Sequence, residues 1–241
     1  MKAFCFIVAC LCLFGLSACV ETPPAVSDVQ QVEHFDKVIK LEVKYNYYLF
    51  LPKGYQQHGK RWPLMLFLHG AGDAGTNMER VKILGPPKVV ETMPDFPCIL
   101  VSPQSPVRSW NLDALNALLD DVIRRYRVDK NRVYLTGASM GGSGTWALAV
   151  AHPEKFAAIV PVSGSGDTNE AKRLIGLPIW AFHGAKDPVV KVERARQMVE
   201  AVRAAGGNVK FTVYPNATHD AWTETYNNPE LYRWLLEQKR H

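Results

Sequence analysis

The stretch RVYLTGASMGGSGTWALA (Arg132–Ala149) decides the fold. An apolar run breaks into Gly-Ala-Ser-Met-Gly-Gly and resumes at once with helix-forming residues. The spacing predicts a strand, a sharp corner and a helix, with Gly137-Ala138-Ser139-Met140-Gly141 fitting G-x-S-x-G at the corner. A chain that needed only a turn could use Asn-Gly. Here a serine stands between two glycines, and side chains in their place would collide with the neighbouring strand and helix. Ser139 is therefore expected in a strained conformation that lifts its hydroxyl above the sheet edge as a nucleophile. The first N–H groups of a helix are unpaired, so the N–H of Met140 is free to hold a developing oxyanion. Gly142 and Gly144 are poor helix formers and suit a helix packed close beneath the turn.

Outward from the corner the pattern repeats. KYNYYLFLP, WPLMLFLHG, CILVSP, RVYLTG, FAAIVPVSG, LPIWAFHG and VKFTVYP read as strands. Several are continuous apolar runs, as expected of strands buried on both faces. Between them lie helical stripes: Leu112, Leu115, Leu118, Leu119, Val122, Ile123 and Tyr126, then Val192, Ala195, Met198, Val199 and Val202, stopped by Gly206-Gly207. A last helix starts with Asn228 as cap and Pro229 in the first turn. This alternation predicts an α/β fold: one domain over residues 32–241, a mostly parallel sheet with helices on both faces.

A serine hydroxyl needs a base. In the chain order serine, acid, histidine, His34, His58, His69, His152 and His183 come too early, and His241 ends the chain. His219, in YPNATHDAW between a strand and the final helix, remains. The acid expected to orient it is Asp187 in FHGAKDPVV, at the carboxyl end of a strand, where open α/β sheets place their chemistry. Asp167 in VSGSGD is the rival, and either aspartate could instead be a helix cap. A second oxyanion donor is expected from HGAGD (His69–Asp73): the N–H of Ala71, with Gly72 second and His69 in a structural role. Trp110 and Trp222 are candidate walls of an acyl or aromatic pocket, with core packing as the alternative for both.

The 241 residues carry a formal charge of +5 without a dense basic stripe, so nucleic acid is not an expected partner. Arg124–Arg127 sits at an expected helix end, where cations complement the dipole. No His, Cys and Asp cluster has metal-ligand spacing, and the chemistry needs no metal or cofactor. Residues 1–18 read as a secretory signal rather than a spanning helix. Leu16-Ser17-Ala18-Cys19 resembles the lipobox of bacterial lipoproteins, which implies lipidation at Cys19 and a membrane partner; a plain signal cleaved near Ala18 is the alternative. Residues 19–31 are a polar, Pro-containing tether. Val20 is not the Asp of an inner-membrane retention signal, so the outer membrane, facing the periplasm, is expected. Cys98 would be the remaining thiol and reads as a core residue.

The segments VDKNRVYLTGASMGGSGTWALAVAHPEKFAAIVPVSG, FHGAKDPVV and YPNATHDAW, from about Tyr47 onward, resemble the α/β-hydrolase superfamily. Within it they resemble bacterial secreted esterases of the dienelactone hydrolase, phospholipase/carboxylesterase and predicted-peptidase group. The resemblance places a triad on Ser139, Asp187 and His219. It departs in two ways: dienelactone hydrolases proper use a cysteine nucleophile, and the peptidase relatives carry a propeller for which this chain has no room. What it implies is hydrolysis of carboxylic esters, small or extended soluble acyl esters or carbohydrate esters, through an acyl-enzyme, without a large lid. A peptidase or amidase acting on short peptides, and an inactive surface binding lipoprotein on the same fold, are the alternatives.

Overall fold

All of the expected apolar runs are strands: β1 (Asn46–Phe50), β2 (Trp62–Leu68), β3 (Ile99–Gln104), β4 (Val128–Ala138), β5 (Ala158–Val162), β6 (Ile179–Gly184) and β7 (Val209–Tyr214). In the computed structural model, which describes Glu42 and residues 44–240, they form one seven-stranded sheet in the order β1-β3-β2-β4-β5-β6-β7. Only β1 runs antiparallel to its neighbour; the other pairings are parallel. The signal, Cys19, the tether and the first ten residues of the expected domain, 32–41, lie outside the described residues, as does His241.

The continuous apolar runs have a simple cause, because alternate side chains enter two cores. From β2, Leu64, Leu66 and Leu68 join Leu115, Leu119, Trp146 and Met198, whereas Met65 and Phe67 join Phe182, Tyr226 and Leu231. The first core is covered by α2 (Leu112–Arg125), α3 (Met140–Ala151) and α4 (Val192–Ala204). The second lies under α5 (Trp222–Asn227) and α6 (Pro229–Glu237), and α1 (Gly85–Thr92) packs against β2 and α5 beside it. Cys98 belongs to the second core; burial pushes its thiol up to about 12, so it packs as a small apolar side chain. Arg124 and Arg125 occupy the last turn of α2 and pair with Asp121.

Two features depart from the sequence reading. β4 begins at Val128 rather than Arg132, because Val128 pairs with Trp62 and the register then shifts. The intervening Lys130 and Asn131 are exposed, and their polarity hides the strand. The other is α1, absent from the helices expected from the sequence; its Pro86 and Pro87 occupy the first turn, where no intrahelical N–H bond is lost.

Candidate active site

The corner after β4 is held by backbone packed on backbone. Ser139 has φ 56° and ψ −115°, a positive φ that a residue bearing a Cβ seldom adopts. Its N–H donates to Val162 O at 2.9 Å, tying the corner to β5. A Cβ on Gly137 would lie 2.5 Å from Gly141 O, one on Gly141 would run into Leu68 O, and one on Gly142 into Val162 O. Gly144 differs, since a Cβ there would meet the Trp110 ring at 2.9 Å. Strain at Ser139 persists because the surroundings leave the chain no other path.

The structure brings the three distant side chains into one hydrogen-bonded chain. Ser139 Oγ is 2.8 Å from His219 Nε2, and His219 Nδ1 is 2.7 Å from Asp187 Oδ2. Asp187 can only accept when ionised, so Nδ1 carries a hydrogen and Nε2 is left to accept from the serine. The other oxygen, Asp187 Oδ1, accepts from Val189 N–H at 2.8 Å and Val190 N–H at 2.9 Å. Burial alone would push the Asp187 carboxyl upward. The bonds from His219, Val190 and Val189 outweigh it and hold the carboxyl below the usual range. The two loops are joined through their backbones: Ala185 N–H donates to Tyr214 O and Lys186 N–H to Ala217 O. Asp167 is elsewhere, exposed and capping the turn at Thr168–Leu174 through Asn169 N–H.

The two oxyanion candidates share a local origin. Met140 is the first residue of α3 and Ala71 the first of a 3-10 turn, Ala71–Asp73. Neither N–H has an intrahelical acceptor by position, and neither donates to a turn or loop carbonyl. The loop carrying Ala71 is clamped by Arg80 and Gln104, which sequence reasoning missed, and by His69. Arg80 donates to Gly72 O through Nε at 3.1 Å and Nη2 at 2.7 Å, and Nη2 lies 3.5 Å from Asp73 Oδ1. Gln104 Nε2 donates to Asp73 O and Asn77 O, at 2.9 and 2.7 Å. His69, fully buried, donates from Nδ1 to Gly70 O at 2.7 Å and accepts Ser105 N–H on Nε2 at 3.0 Å. Burial drives its pKa down, so near neutral pH it keeps this tautomer as a structural pin. The Arg80 and Gln104 bonds reach backbone carbonyls 8 to 31 residues away, and no local motif announces them.

The tryptophans part company. Trp110 packs on His69, with ring centroids 4.7 Å apart, and on Tyr45 at 6.0 Å. Trp222 stands edge-on to His219 at 5.2 Å and also lines a pocket of about 400 Å³ with Leu84, Val89, Met93, Tyr226 and Tyr232. Among the described residues no group of three His, Cys, Asp or Glu side chains is placed to hold a metal ion.

Comparison with known proteins agrees with this architecture. A solved thermostable esterase superposes with a TM-score of 0.71 at 34% identity, over 82% of this chain and 60% of its own. A bifunctional acetylxylan esterase/xylanase of Neocallimastix patriciarum is 27% identical over 71% of this chain, and the Aspergillus terreus protein named Probable feruloyl esterase C is 25% identical over 76%. This chain spans 26% and 66% of those two relatives. Residues 34–232, which include the strained corner, the clamped loop and the joined acid and histidine loops, match one family throughout, and the chain belongs to the dienelactone hydrolase family.

Proposed function

We propose that the protein hydrolyses carboxylic esters through an acyl-enzyme. Ser139 Oγ attacks the ester carbonyl while its proton passes to His219 Nε2, and Asp187 holds the imidazolium that forms. The N–H groups of Met140 and Ala71 hold the oxyanion. Collapse of the tetrahedral intermediate breaks the ester C–O bond, and the alcohol leaves with the proton from Nε2. Water then gives a proton to Nε2, attacks the acyl carbon and releases the acid, restoring Ser139. The observation that carries this reading is the continuous chain Ser139–His219–Asp187 at a corner held in a strained conformation.

The pocket beyond Trp222 supports esters bearing a compact apolar or aromatic group. It shares Trp222 with the histidine, and Leu84, Val89, Met93, Tyr226 and Tyr232 give it an aromatic and aliphatic wall beside the polar Lys88, Thr92, Thr223 and Asn227. The curated relatives' names point the same way, toward acyl esters of carbohydrates. The test is a pair of rates, on p-nitrophenyl acetate and on a peptide p-nitroanilide, with fluorophosphonate labelling of Ser139. Fast ester cleavage with a Ser139 adduct is expected. Preferential amide cleavage moves the assignment to a peptidase, and no adduct moves it to a binding protein. Lipidation at Cys19 is a separate part of the proposal: Cys19→Ala should release the protein from membranes and leave soluble-ester rates unchanged.

A further inference from the structure

His183 ends in a place where an imidazole is a costly way to fill space. It is fully buried near the end of β6, four residues before Asp187, and its Nδ1 has no hydrogen-bond partner. Ser163, just past the end of β5, donates its N–H to Phe182 O, next to His183 in the chain, and the Ser163 hydroxyl is also without a partner. An apolar side chain of similar size would occupy this position without leaving a buried acceptor unmet. The Nε2 side supplies what an apolar side chain cannot. Nε2 lies 2.8 Å from Val190 O and 3.2 Å from Asp187 Oδ2; both are acceptors, so Nε2 carries the hydrogen. Its better-aligned bond is to Val190 O. Val190 is thus held on both sides: its carbonyl by His183, its N–H on Asp187 Oδ1 at 2.9 Å.

We propose that His183 is a positioning residue for the reaction, which fixes the Asp187 carboxylate by gripping Val190 and by facing Asp187 Oδ2 with its N–H. This rests on the reading of Asp187 as the acid that orients His219. Without the Nε2 hydrogen, Val190 loses the anchor of its carbonyl and the carboxylate loses the N–H that faces Oδ2. Asp187 then turns away from His219 Nδ1, and Ser139 is met by an imidazole less well aimed.

The test compares His183→Gln with His183→Met, two side chains of similar length that differ in whether they carry an N–H. Each is made in the native chain and with Asp187→Asn, and rates are expressed per active site titrated with a fluorophosphonate. His183→Met should lower kcat on p-nitrophenyl acetate on the order of 30-fold, within the range that a misplacement of about 1 Å can cost, with KM unchanged. His183→Gln should recover most of that loss. In the Asp187→Asn background neither substitution should matter, because the effect runs through the carboxylate. Equal losses for Gln and Met, or equal losses in both backgrounds, would assign His183 a purely structural role. If Asp187→Asn alone leaves the rate unchanged, the acid assignment itself falls, a result distinct from the failure of His183. Should the Met variant prove insoluble, a full rate for His183→Leu refolded and titrated in the same way would overturn the proposal.

Discussion

His219 Nε2 lies 2.8 Å from Ser139 Oγ although 80 residues separate the two in sequence. The serine follows β4 and the histidine follows β7, three strands along the sheet order, so their meeting depends on the loops at the carboxyl edge. The sheet sets the distance, and the loop contacts set the aim.

Replacing the nucleophile separates chemistry from strain. Ser139→Ala should lower kcat on the order of 10⁶-fold, by analogy with other triads. Ser139→Gly should be equally inactive but more stable than Ser139→Ala, since glycine accepts φ 56° without cost. A difference of about 1 kcal/mol corresponds to roughly 2–4 °C in Tm for a domain of this size. Calorimetry of both variants checks it.

The two aspartates should differ sharply. Asp187→Asn presents a donor where His219 needs an acceptor, and kcat should fall on the order of 10³- to 10⁴-fold. Asp167→Asn changes only an exposed cap and should stay within about twofold. The reverse ranking in steady-state assays would overturn the acid assignment.

Asp187 also predicts a pH dependence. Its folded pKa is depressed, so the stability it contributes is complete above the unfolded value of about 3.9 and lost as pH falls through the lower folded value. Urea midpoints of the native protein and Asp187→Asn should therefore differ most near neutral pH and converge below about pH 4.

Arg80 holds the Gly72 carbonyl next to the expected oxyanion donor Ala71. Arg80→Met keeps an unbranched apolar stem and removes the clamp. It should lower kcat on the order of 10-fold with little change in KM, because a looser donor loses part of its transition-state stabilisation.

The corner glycines should rank by what a methyl group would strike. Gly141→Ala and Gly142→Ala meet carbonyl oxygens of β2 and β5 and should cost about 4 kcal/mol or more. Gly144→Ala meets the Trp110 ring, which can shift, and should cost about 1–3 kcal/mol. Chemical denaturation of the soluble variants gives the order.

Much of this was legible in the residues because the sheet is buried on both faces. Runs such as WPLMLFLHG have no polar alternation to confuse them, and G-x-S-x-G between a strand and a helix has few structural readings. Chain order left His219 as the base, and its place in the loop after a strand favoured Asp187 over Asp167. What stayed hidden acts through the backbone or across long separations: Arg80 on Gly72 O, Gln104 on Asp73 O, His183 on Val190 O. Any of these side chains looks like a surface or strand residue until the fold brings its carbonyl to it. The early start of β4 was masked by exposed Lys130 and Asn131, and α1 by a proline pair that the first turn of a helix accepts.

A Cβ on Gly184 would run into the Thr218 and Ala217 carbonyls, so the acid and histidine loops touch with no room for a side chain between them. Asp187 and His219 are therefore tied to each other by backbone as well as side-chain bonds, while Ser139 is anchored in the middle of the sheet. Loosening of the molecule should therefore widen the gap between hydroxyl and imidazole before it disturbs the imidazole's grip on its carboxylate. Warming or mild denaturant should thus idle the enzyme by parting nucleophile from base, with the proton-relay half still assembled and ready to re-engage on cooling.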